Sequence, residues 1–259
     1  MKAVVIGAGR GIRLMPETES YPKCMMDGLG GRRVLDWILD SLASAGIDDI
    51  VFIGGYHMEK VVNAYPQLRF YHNDQWSKNN ILASLFCAEE ELVTPFVVSY
   101  SDIVYRRNVT QRLMTKQADI AIVVDRDWRR RYVGRTAHPE TQAEKVVVEN
   151  GWVASIGKHL SASEAYGEFI GLARFDQGAA DVLRIRYREI REAYPERPFQ
   201  QAATFRDAYL TDMLQELIDL GVRIEPIDIW ADWAELDTPQ DLAWARQQLS
   251  IHGKQDLST

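Results

Sequence analysis

A regular alternation of short apolar runs with amphipathic stretches through the first half of the chain is the feature that most constrains its fold. Residues 2–8, 49–55 and 95–101 are rich in β-branched residues and are predicted to be buried strands. Between them, residues 34–42 and 81–88 carry apolar side chains at helical spacing. Strands and helices that alternate in this way predict an α/β domain with a largely parallel sheet and helices on both faces.

Shorter segments complete the predicted element order. The first half also contains a helix at 57–64, a strand at 68–73, a helix at 108–116 and a strand at 119–124. The pattern changes after residue 125, where two alternating runs around Asn150-Gly151 predict a β-hairpin over residues 145–156, because Asn-Gly favours the type I′ turn. The remainder is predicted as a strand at 167–175, helices at 176–193 and 204–220, a strand at 222–229 and a helix at 238–249.

Charge and cysteine content exclude several classes of protein. The 30 Lys and Arg residues are outnumbered by 37 Asp and Glu residues, which gives a net charge of −7. Such a chain is a poor match for general nucleic-acid binding, although a local cationic pocket remains compatible with it. Two cysteines, Cys24 and Cys87, do not indicate a disulfide framework. The apolar run at the N-terminus is too short for a signal segment or a membrane span, so a cytoplasmic protein without a membrane partner is expected.

The most informative segment is GAGRGIRLMP at residues 7–16, which is followed by YPK at 21–23. Glycines after a first strand let the backbone approach a phosphate closely. The dinucleotide-binding pattern G-x-G-x-x-G does not fit, because position 12 is Ile12 and Pro16 would interrupt the following helix. The P-loop pattern does not fit either, since no lysine follows Gly11. What remains, G-x-G-x-G-x-R-L-x-P with a later P-K, is typical of nucleotidyltransferases.

Nucleotidyl transfer explains the residue types in this loop. An anionic acceptor must attack the α-phosphorus of an anionic nucleoside triphosphate, so the site must supply positive charge. The backbone amides expected to surround the triphosphate are those of Ala8, Gly9, Arg10 and Gly11. Arg13 is expected to bind the β- and γ-phosphate oxygens and Lys23 to reach the developing charge. The plain alternative is a glycine turn with surface cations.

Two aspartates are candidate ligands for the Mg²⁺ that nucleotidyl transfer normally needs. Asp102 follows the strand at 95–101, and open α/β sheets bind ligands at the carboxyl ends of strands. Asp237 precedes the last helix, for which Thr238 is the expected N-cap and Pro239 the first residue. A purely structural role for Asp237 in capping that helix is the competing interpretation.

Taken together, the loop, YSD ending at Asp102 and WAELDTPQDL at 233–242 resemble the sugar-phosphate and choline-phosphate nucleotidyltransferase superfamily, and within it the bacterial cytidylyltransferases. GRTAHP at 134–139, AEKV at 143–146 and GEFIGL at 167–172 are similar to the branch that acts in phosphonate metabolism. The resemblance implies a Rossmann-like nucleotidyltransferase fold with a mixed, mostly parallel central sheet. It also implies CTP as donor, Mg²⁺ on Asp102 and Asp237, and Lys23 beside the triphosphate.

The same resemblance divides the chain by role. No repeat or Pro/Gly-rich linker interrupts the sequence, so we expect a single domain over 1–250 and a flexible tail over 251–259. Residues 1–125 are the expected nucleotide-binding half and residues 126–250 the acceptor-binding half. On the side of the base, the candidates are Gly55, Tyr56, Asn79, Asn80 and Ser84. For the acceptor they are Arg129, Arg135, His138, Lys145, Glu168 and Glu235.

Two acceptor chemistries remain open at this point. Aromatic and acidic residues, namely Trp128, Tyr132, Trp230, Trp233 and Glu235, would suit a choline or aminoalkyl head. The run of arginines at 129–131 would instead suit a phosphonate that also bears a carboxylate, unless the run is a solvated loop.

The leading hypothesis is therefore an Mg²⁺-dependent enzyme that transfers CMP from CTP to a small phosphonate and releases pyrophosphate. The alternatives are transfer to choline phosphate or to another alcohol or sugar phosphate monoester, and a catalytically silent nucleotide-binding regulatory protein. A homodimer is left open by the sequence.

Overall fold

The computed structural model describes residues 1–27 and 29–252, with side chains up to residue 247. Its strands are β1 (Lys2–Gly7), β2 (Asp49–Gly54), β3 (Arg69–His72), β4 (Phe96–Tyr100), β5 (Ile103–Tyr105), β6 (Ile120–Asp125), β7 (Lys145–Glu149), β8 (Trp152–Gly157), β9 (Gly167–Phe175), β10 (Ile224–Ile229) and β11 (Trp233–Glu235). Its α-helices are α1 (Val34–Ser44), α2 (Met58–Ala64), α3 (Ile81–Leu85), α4 (Arg107–Met114), α5 (Arg129–Tyr132), α6 (Gln177–Ala193), α7 (Leu210–Asp219) and α8 (Pro239–His252).

A mixed, mostly parallel sheet forms the centre of the molecule, as the sequence predicted. Seven strands follow the order β10-β6-β9-β4-β1-β2-β3, and the β7–β8 hairpin extends from β9. Neighbouring strands are parallel except where β9 lies antiparallel between β6 and β4. Strands such as β1 and β6 are buried almost throughout, which explains why their sequences are continuous apolar runs.

Two apolar cores lie on opposite faces of this sheet. One packs α3, α6 and α7 against β4, β6 and β9 and includes the stacked rings of Phe96 and Phe175, whose centroids are 4.9 Å apart. The other packs α1, α4 and α8 against β1 and β2. Helices on both faces leave the carboxyl ends of the parallel strands as the open edge of the sheet.

Most predicted elements are present with bounds within two residues, and the hairpin is confirmed in detail. Asn150 and Gly151 have φ values of 51° and 84°, as a type I′ turn requires. Among the described residues, no helix is long and apolar enough to cross a membrane.

The helix predicted over 204–220 is wrong at its start, because α7 begins only at Leu210 and a separate 3₁₀ turn covers Phe205–Asp207. The backbone carbonyls of Arg206 and Ala208 accept hydrogen bonds from the backbone amides of Asn80 and Leu82, at 3.2 and 3.3 Å. Since these bonds to α3 take the place of helical ones, the chain is extended at Ala208 before the helix starts.

At the other end of the chain, the predicted tail also needs correction. Helix α8 runs to His252, so residues 251 and 252 belong to it rather than to a tail. The rest of that prediction, residues 253–259, lies outside the described residues.

Two three-residue strands were not predicted. They are β5 and β11, which pair antiparallel at the open edge of the sheet. Beyond this pair, the backbone amide of Leu236 donates to the carbonyl of Asp102 at 2.8 Å. This short pairing brings together two segments that are more than a hundred residues apart in the sequence.

Candidate active site

A cleft of about 350 Å³ lies at the carboxyl ends of β1 and β4. Its walls come from the glycine loop after β1, the turn between β4 and β5, the starts of α3 and β9, and β11. This is the edge at which open α/β sheets bind their ligands.

The glycine loop is held by hydrogen bonds from two residues that do not line the cleft. Thr18 Oγ1 donates to the carbonyl of Gly11 at 2.9 Å, and the amide of Tyr56 donates to the carbonyl of Ala8 at 3.0 Å. Gly11 has a φ of 68°, a left-handed conformation that favours glycine. A Cβ atom placed on Gly9 would meet no other atom within 4 Å, so the space beside this residue is free for a ligand.

At the centre of the cleft, the Lys23 ammonium lies between two carboxylates. Its Nζ is 3.0 Å from Oδ2 of Asp102 and also contacts Oδ1 of Asp237. Although burial opposes its charge, the two carboxylates raise the pKa of Lys23 above its ordinary value. Burial likewise opposes ionisation of Asp237, but hydrogen bonds from His138 and Lys23 hold the pKa of that carboxyl well below its usual range. Both aspartates therefore face the Lys23 ammonium, and carboxylates placed in this way could also hold a divalent ion.

The competing interpretation of Asp237 as a helix cap does not fit the geometry. Thr238 Oγ1 accepts from the amide of Asp241 at 3.3 Å, and the amide of Thr238 donates to Oδ2 of Asp241 at 2.8 Å. Thr238 is therefore the N-cap of α8, with Pro239 as its first residue, as predicted. The Asp237 carboxylate does not cap the helix and lines the cleft instead.

Beside Asp237 lies a group made of His138, Glu235 and Arg135. His138 Nδ1 is 3.1 Å from Oδ2 of Asp237, and Arg135 Nη2 is 3.0 Å from Oε2 of Glu235. Arg135 Nε is also 2.6 Å from Oδ1 of Asp241. His138 and Glu235 line the cleft, whereas Arg135 lies behind them and holds Glu235 in place.

Acidic and aromatic side chains dominate the far end of the cleft. Glu144, Glu168 and Glu235 line it together with the rings of Tyr100, Phe169, Tyr209 and Trp233, and with Lys158. Tyr100 Oη donates to Oε2 of Glu144 at 3.3 Å. Burial raises the pKa of Glu144 from 4.5 to about 7, and the nearby Lys158 ammonium opposes this shift.

The arginine run does not reach this end of the cleft. Arg129 is exposed, contacts the carbonyl of Ala162 and lies 4.0 Å from Glu140. Arg131 is buried instead, 2.9 Å from Oε2 of Glu168, with its guanidinium stacked 3.5 Å from the centre of the Trp233 ring. The single turn of α5 thus directs one arginine of three towards the back of the site.

Other candidates support the cleft from outside it. Lys145 is buried, and its ammonium donates to the carbonyl of Ala143 at 3.1 Å rather than facing the cleft. Gly55 packs against the carbonyl of Ala8, and the Arg10 guanidinium lies 5.5 Å from the centre of the Tyr56 ring.

Two of the three tryptophans named as acceptor candidates lie away from the cleft. Trp128 is buried beside Tyr132, and Trp230 is exposed next to Arg112. The third, Trp233, lines the cleft.

On the side expected for the base, an amide network shapes the wall. Asn73 Nδ2 donates to Oδ1 of Asn79 and to Oγ of Ser84, both at 2.8 Å. Asn80 lines the cleft, but its Oδ1 caps α3 by accepting from the amide of Ile81 at 2.9 Å. Trp76 completes this wall.

The structure thus brings most sequence candidates together. Those that line the cleft are Ala8, Gly9, Gly11, Arg13, Lys23, Asn79, Asn80, Ser84, Asp102, His138, Glu168, Glu235 and Asp237. Those that do not are Arg10, Gly55, Tyr56, Arg129, Arg135 and Lys145. Sequence reasoning missed Trp76, Lys158 and Tyr209. Lys158 lies two residues after the predicted hairpin, which could have indicated it, but no pattern singles out the other two.

An open glycine loop, paired carboxylates with a cation between them and a polar cleft at the strand ends together define a nucleotidyl-transferring enzyme. Residues 3–215 match the family described as MobA-like NTP transferase domain, and the chain belongs to that family. The class predicted from the sequence, a nucleotidyltransferase similar to the bacterial cytidylyltransferases, is confirmed.

Relatives match over nearly the whole chain. It is 31% identical over 253 residues to the CTP:phosphoglutamine cytidylyltransferase of Campylobacter jejuni, covering 93% of this chain and 98% of that one. It is 26% identical to the 2-aminoethylphosphonate cytidylyltransferase of Lancefieldella rimae, covering 93% and 90%. The fold is that of the CTP:phosphocholine cytidylyltransferase of Streptococcus pneumoniae, with a TM-score of 0.72 at 21% identity over 96% and 98% of the two chains.

Proposed function

We propose that the protein transfers CMP from CTP to a small phosphonate or to a phosphate monoester and releases pyrophosphate. The main observation behind this proposal is that the Lys23 ammonium lies between Asp102 and Asp237, in the same cleft as the open glycine loop. The relatives that match almost the entire chain are named for CTP and for phosphorylated or phosphonate acceptors, which supports the choice of both reactants.

The residues of the cleft divide the work of the reaction. Amides of the glycine loop and the half-exposed Arg13 would bind the triphosphate. Asp102 and Asp237 would hold Mg²⁺, which when bound supplies positive charge for the phosphates. Lys23, which also contacts both carboxylates, would then neutralise charge at the α-phosphate.

The acceptor needs no strong general base. A phosphate or phosphonate oxygen is already anionic at neutral pH, so it can attack the α-phosphorus directly. The new bond joins this oxygen to the α-phosphorus, the bond to the β-phosphate oxygen breaks, and pyrophosphate carries the electron pair away. The site has only to align the two anions and neutralise them.

Of the two acceptor chemistries, the cleft favours a head group with an ammonium. Glu144, Glu168 and Glu235 line its far end, whereas Arg129 lies outside it and Arg131 is paired with Glu168. Carboxylates and aromatic faces attract a cationic group and repel a second carboxylate. We therefore propose an aminoalkyl phosphonate or an aminoalcohol phosphate as the acceptor class.

An acceptor panel tests both parts of this proposal. Pyrophosphate release from CTP and Mg²⁺ would be measured with 2-aminoethylphosphonate, phosphocholine, phosphonoacetate and glucose 1-phosphate. We expect the two cationic acceptors to be used and phosphonoacetate to be at least tenfold poorer. Preference for phosphonoacetate would overturn the acceptor class.

A variant separates the enzyme from a silent binding protein. Asp102→Ala should abolish turnover and retain CTP binding, whereas Asp127→Ala, a change at a partly exposed carboxylate that does not line the cleft, should retain both. CTP binding by the wild type without turnover on any acceptor would favour the regulatory protein.

A further inference from the structure

The three glutamates at the far end of the cleft differ in the cations that they already contact. Both oxygens of Glu168 are occupied, since Oε1 accepts from Tyr132 Oη at 2.6 Å and Oε2 lies 2.9 Å from the Arg131 guanidinium. Glu235 Oε2 lies 3.0 Å from the guanidinium of Arg135. The charge of each of these two carboxylates is therefore balanced by an arginine of the chain itself.

Glu144 differs from the other two glutamates. Its carboxylate accepts a hydrogen bond from Tyr100 Oη at 3.3 Å, and no lysine, arginine or histidine nitrogen of a described residue lies within 4 Å of it. Glu144 is about nine-tenths buried and lines the cleft. Burial raises its pKa to about 7 although the Lys158 ammonium opposes the shift, so the charge of the ionised carboxylate is poorly balanced. A cationic group of a ligand would therefore gain most from Glu144.

The aromatic rings of the cleft are partly covered by cations of the chain itself. The Arg131 guanidinium lies 3.5 Å from the centre of the Trp233 ring. The Lys158 ammonium lies 3.9 Å from the centre of the Tyr209 ring. Phe169 is only 2% exposed and Trp233 only 6%. These internal cations compete for the aromatic faces that a trimethylammonium head, which donates no hydrogen bond, would need.

We propose that Glu144 determines acceptor specificity by accepting a hydrogen bond from a primary ammonium head group, and that it selects this head over a trimethylammonium. A primary ammonium carries three N–H donors, and its charge-assisted bond to a carboxylate is about twice as strong as a bond between neutral groups. N-methylation removes all of these donors and keeps the positive charge farther from the carboxylate oxygens. The inference rests on the proposed function and deepens it, because the acceptor class named there includes both kinds of head group.

Binding of a matched pair of acceptors tests this inference. Phosphoethanolamine and phosphocholine differ only in the N-methyl groups, so the contribution of the phosphate is the same in both. Each would be titrated calorimetrically into the wild-type protein with Mg²⁺ and the α,β-methylene analogue of CTP, whose α–β bridge is not cleaved. We expect phosphoethanolamine to bind at least about tenfold more tightly. Equal binding, tighter binding of phosphocholine, or binding of neither would overturn the inference.

A variant tests whether the selectivity belongs to Glu144. Glu144→Gln keeps the size of the side chain and removes its charge, so phosphoethanolamine should bind at least about tenfold more weakly and phosphocholine almost as in the wild type. Glu149→Gln is the matched control, because Glu149 is exposed and does not line the cleft, and it should leave both affinities unchanged. Binding of the CTP analogue reports an intact cleft in each variant.

Equal weakening of both acceptors in Glu144→Gln would overturn the role given to Glu144, because a general disturbance of the cleft does not distinguish the two head groups. The comparison of the two acceptors in the wild type stands without any variant. None of these titrations needs turnover, so failure of the proposed reaction is recognised separately, in the acceptor panel.

Discussion

Lys23 is the single side chain on which the charge balance of the cleft depends most. Replacing it by methionine leaves Asp102 and Asp237 facing each other without the cation between them. Because Asp102 is partly exposed, we expect a loss of about 2 kcal/mol in the free energy of unfolding, less than for a fully buried pair. Turnover should fall at least a hundredfold, and added Mg²⁺ should restore part of the stability.

Thermal unfolding of Lys23→Met with and without Mg²⁺ measures both effects. Lys116→Met is the control, because Lys116 pairs at 2.7 Å with Glu225 on the surface and its loss should cost under about 1 kcal/mol. Equal losses in the two variants, with no response to Mg²⁺, would contradict the role given to Lys23.

Glu144 makes the stability of the protein depend on pH. Its pKa is raised by burial from 4.5 to about 7, so between these values the folded state binds more protons than the unfolded state. The free energy of unfolding should therefore fall as pH rises from about 4.5 to 7, by up to about 3 kcal/mol, and stay level above that. Glu144→Gln should remove the part of this fall that Glu144 causes and make the variant the more stable protein at pH 8; burial also raises the pKa of Glu168 and of Asp212, so a smaller fall remains.

Denaturant unfolding across this pH range measures the slope. Glu149 ends β7, the strand that begins directly after Glu144, and it is exposed, so Glu149→Gln should keep the wild-type profile. A wild-type slope that survives in Glu144→Gln would assign the pH dependence to another group.

The sequence predicted the site residues that belong to motifs. It did not predict which way a side chain turns when contacts with distant strands decide it. The motif spacing identified Lys23, Asp102 and Asp237, which the structure brings into contact. The arginine run did not reveal which member turns inward, because one helical turn places Arg131 inside and Arg129 outside. That choice depends on Glu168 and Trp233, which reach the site from other strands.

Among the elements, the start of α8 carries both a structural and a functional consequence. Thr238→Ala removes its N-cap and should cost about 1 kcal/mol of stability. The amide of Asp237 also donates to Asp241, the partner of Thr238, so losing the cap loosens the residue that faces the cleft. Turnover should fall along with stability.

The matched change is at the start of α6. Asp176 Oδ1 accepts from the amide of Ala179 at 2.8 Å, and Asp176→Ala should cost a similar amount of stability with turnover unchanged. Melting temperatures and steady-state rates of the two variants show whether turnover depends on the Thr238 cap or only on stability. If both variants lose turnover equally, the effect of Thr238 is one of stability alone.

Long periodic elements were predictable because the signal accumulates over many residues. Helix α6 and strand β9 have the expected bounds to within a residue. The β5–β11 pair was not predicted, since a strand of three residues is too short to show a hydrophobic period. The late start of α7 was also missed, because backbone bonds to α3, a distant part of the sequence, override the local preference.

Across the whole molecule, β9 joins the two halves of the chain. It pairs with β4 on one side and with β6 on the other, and it supplies Glu168 to the cleft. We therefore expect a single cooperative unfolding transition, with far-UV circular dichroism and tryptophan fluorescence coincident. A fragment of residues 1–125 should not fold on its own. Two separate unfolding transitions of the whole chain would contradict the predicted cooperativity.

The order of the strands is the part of the fold that the sequence could not provide. A run of buried apolar residues such as Gly167–Phe175 predicts a strand, but it does not tell between which neighbours the strand is inserted. Only the packing of both cores places β9 between β4 and β6.

The central position of β9 also governs how the chain is made. The ribosome completes β4 and β6 well before β9, whose last residue is Phe175. During that interval, each of the two finished strands has an open edge of the kind that pairs with other chains. Nascent chains that end between Asp125 and Phe175 are therefore expected to be the ones that chaperones hold longest, and those most easily lost to aggregation when synthesis stalls.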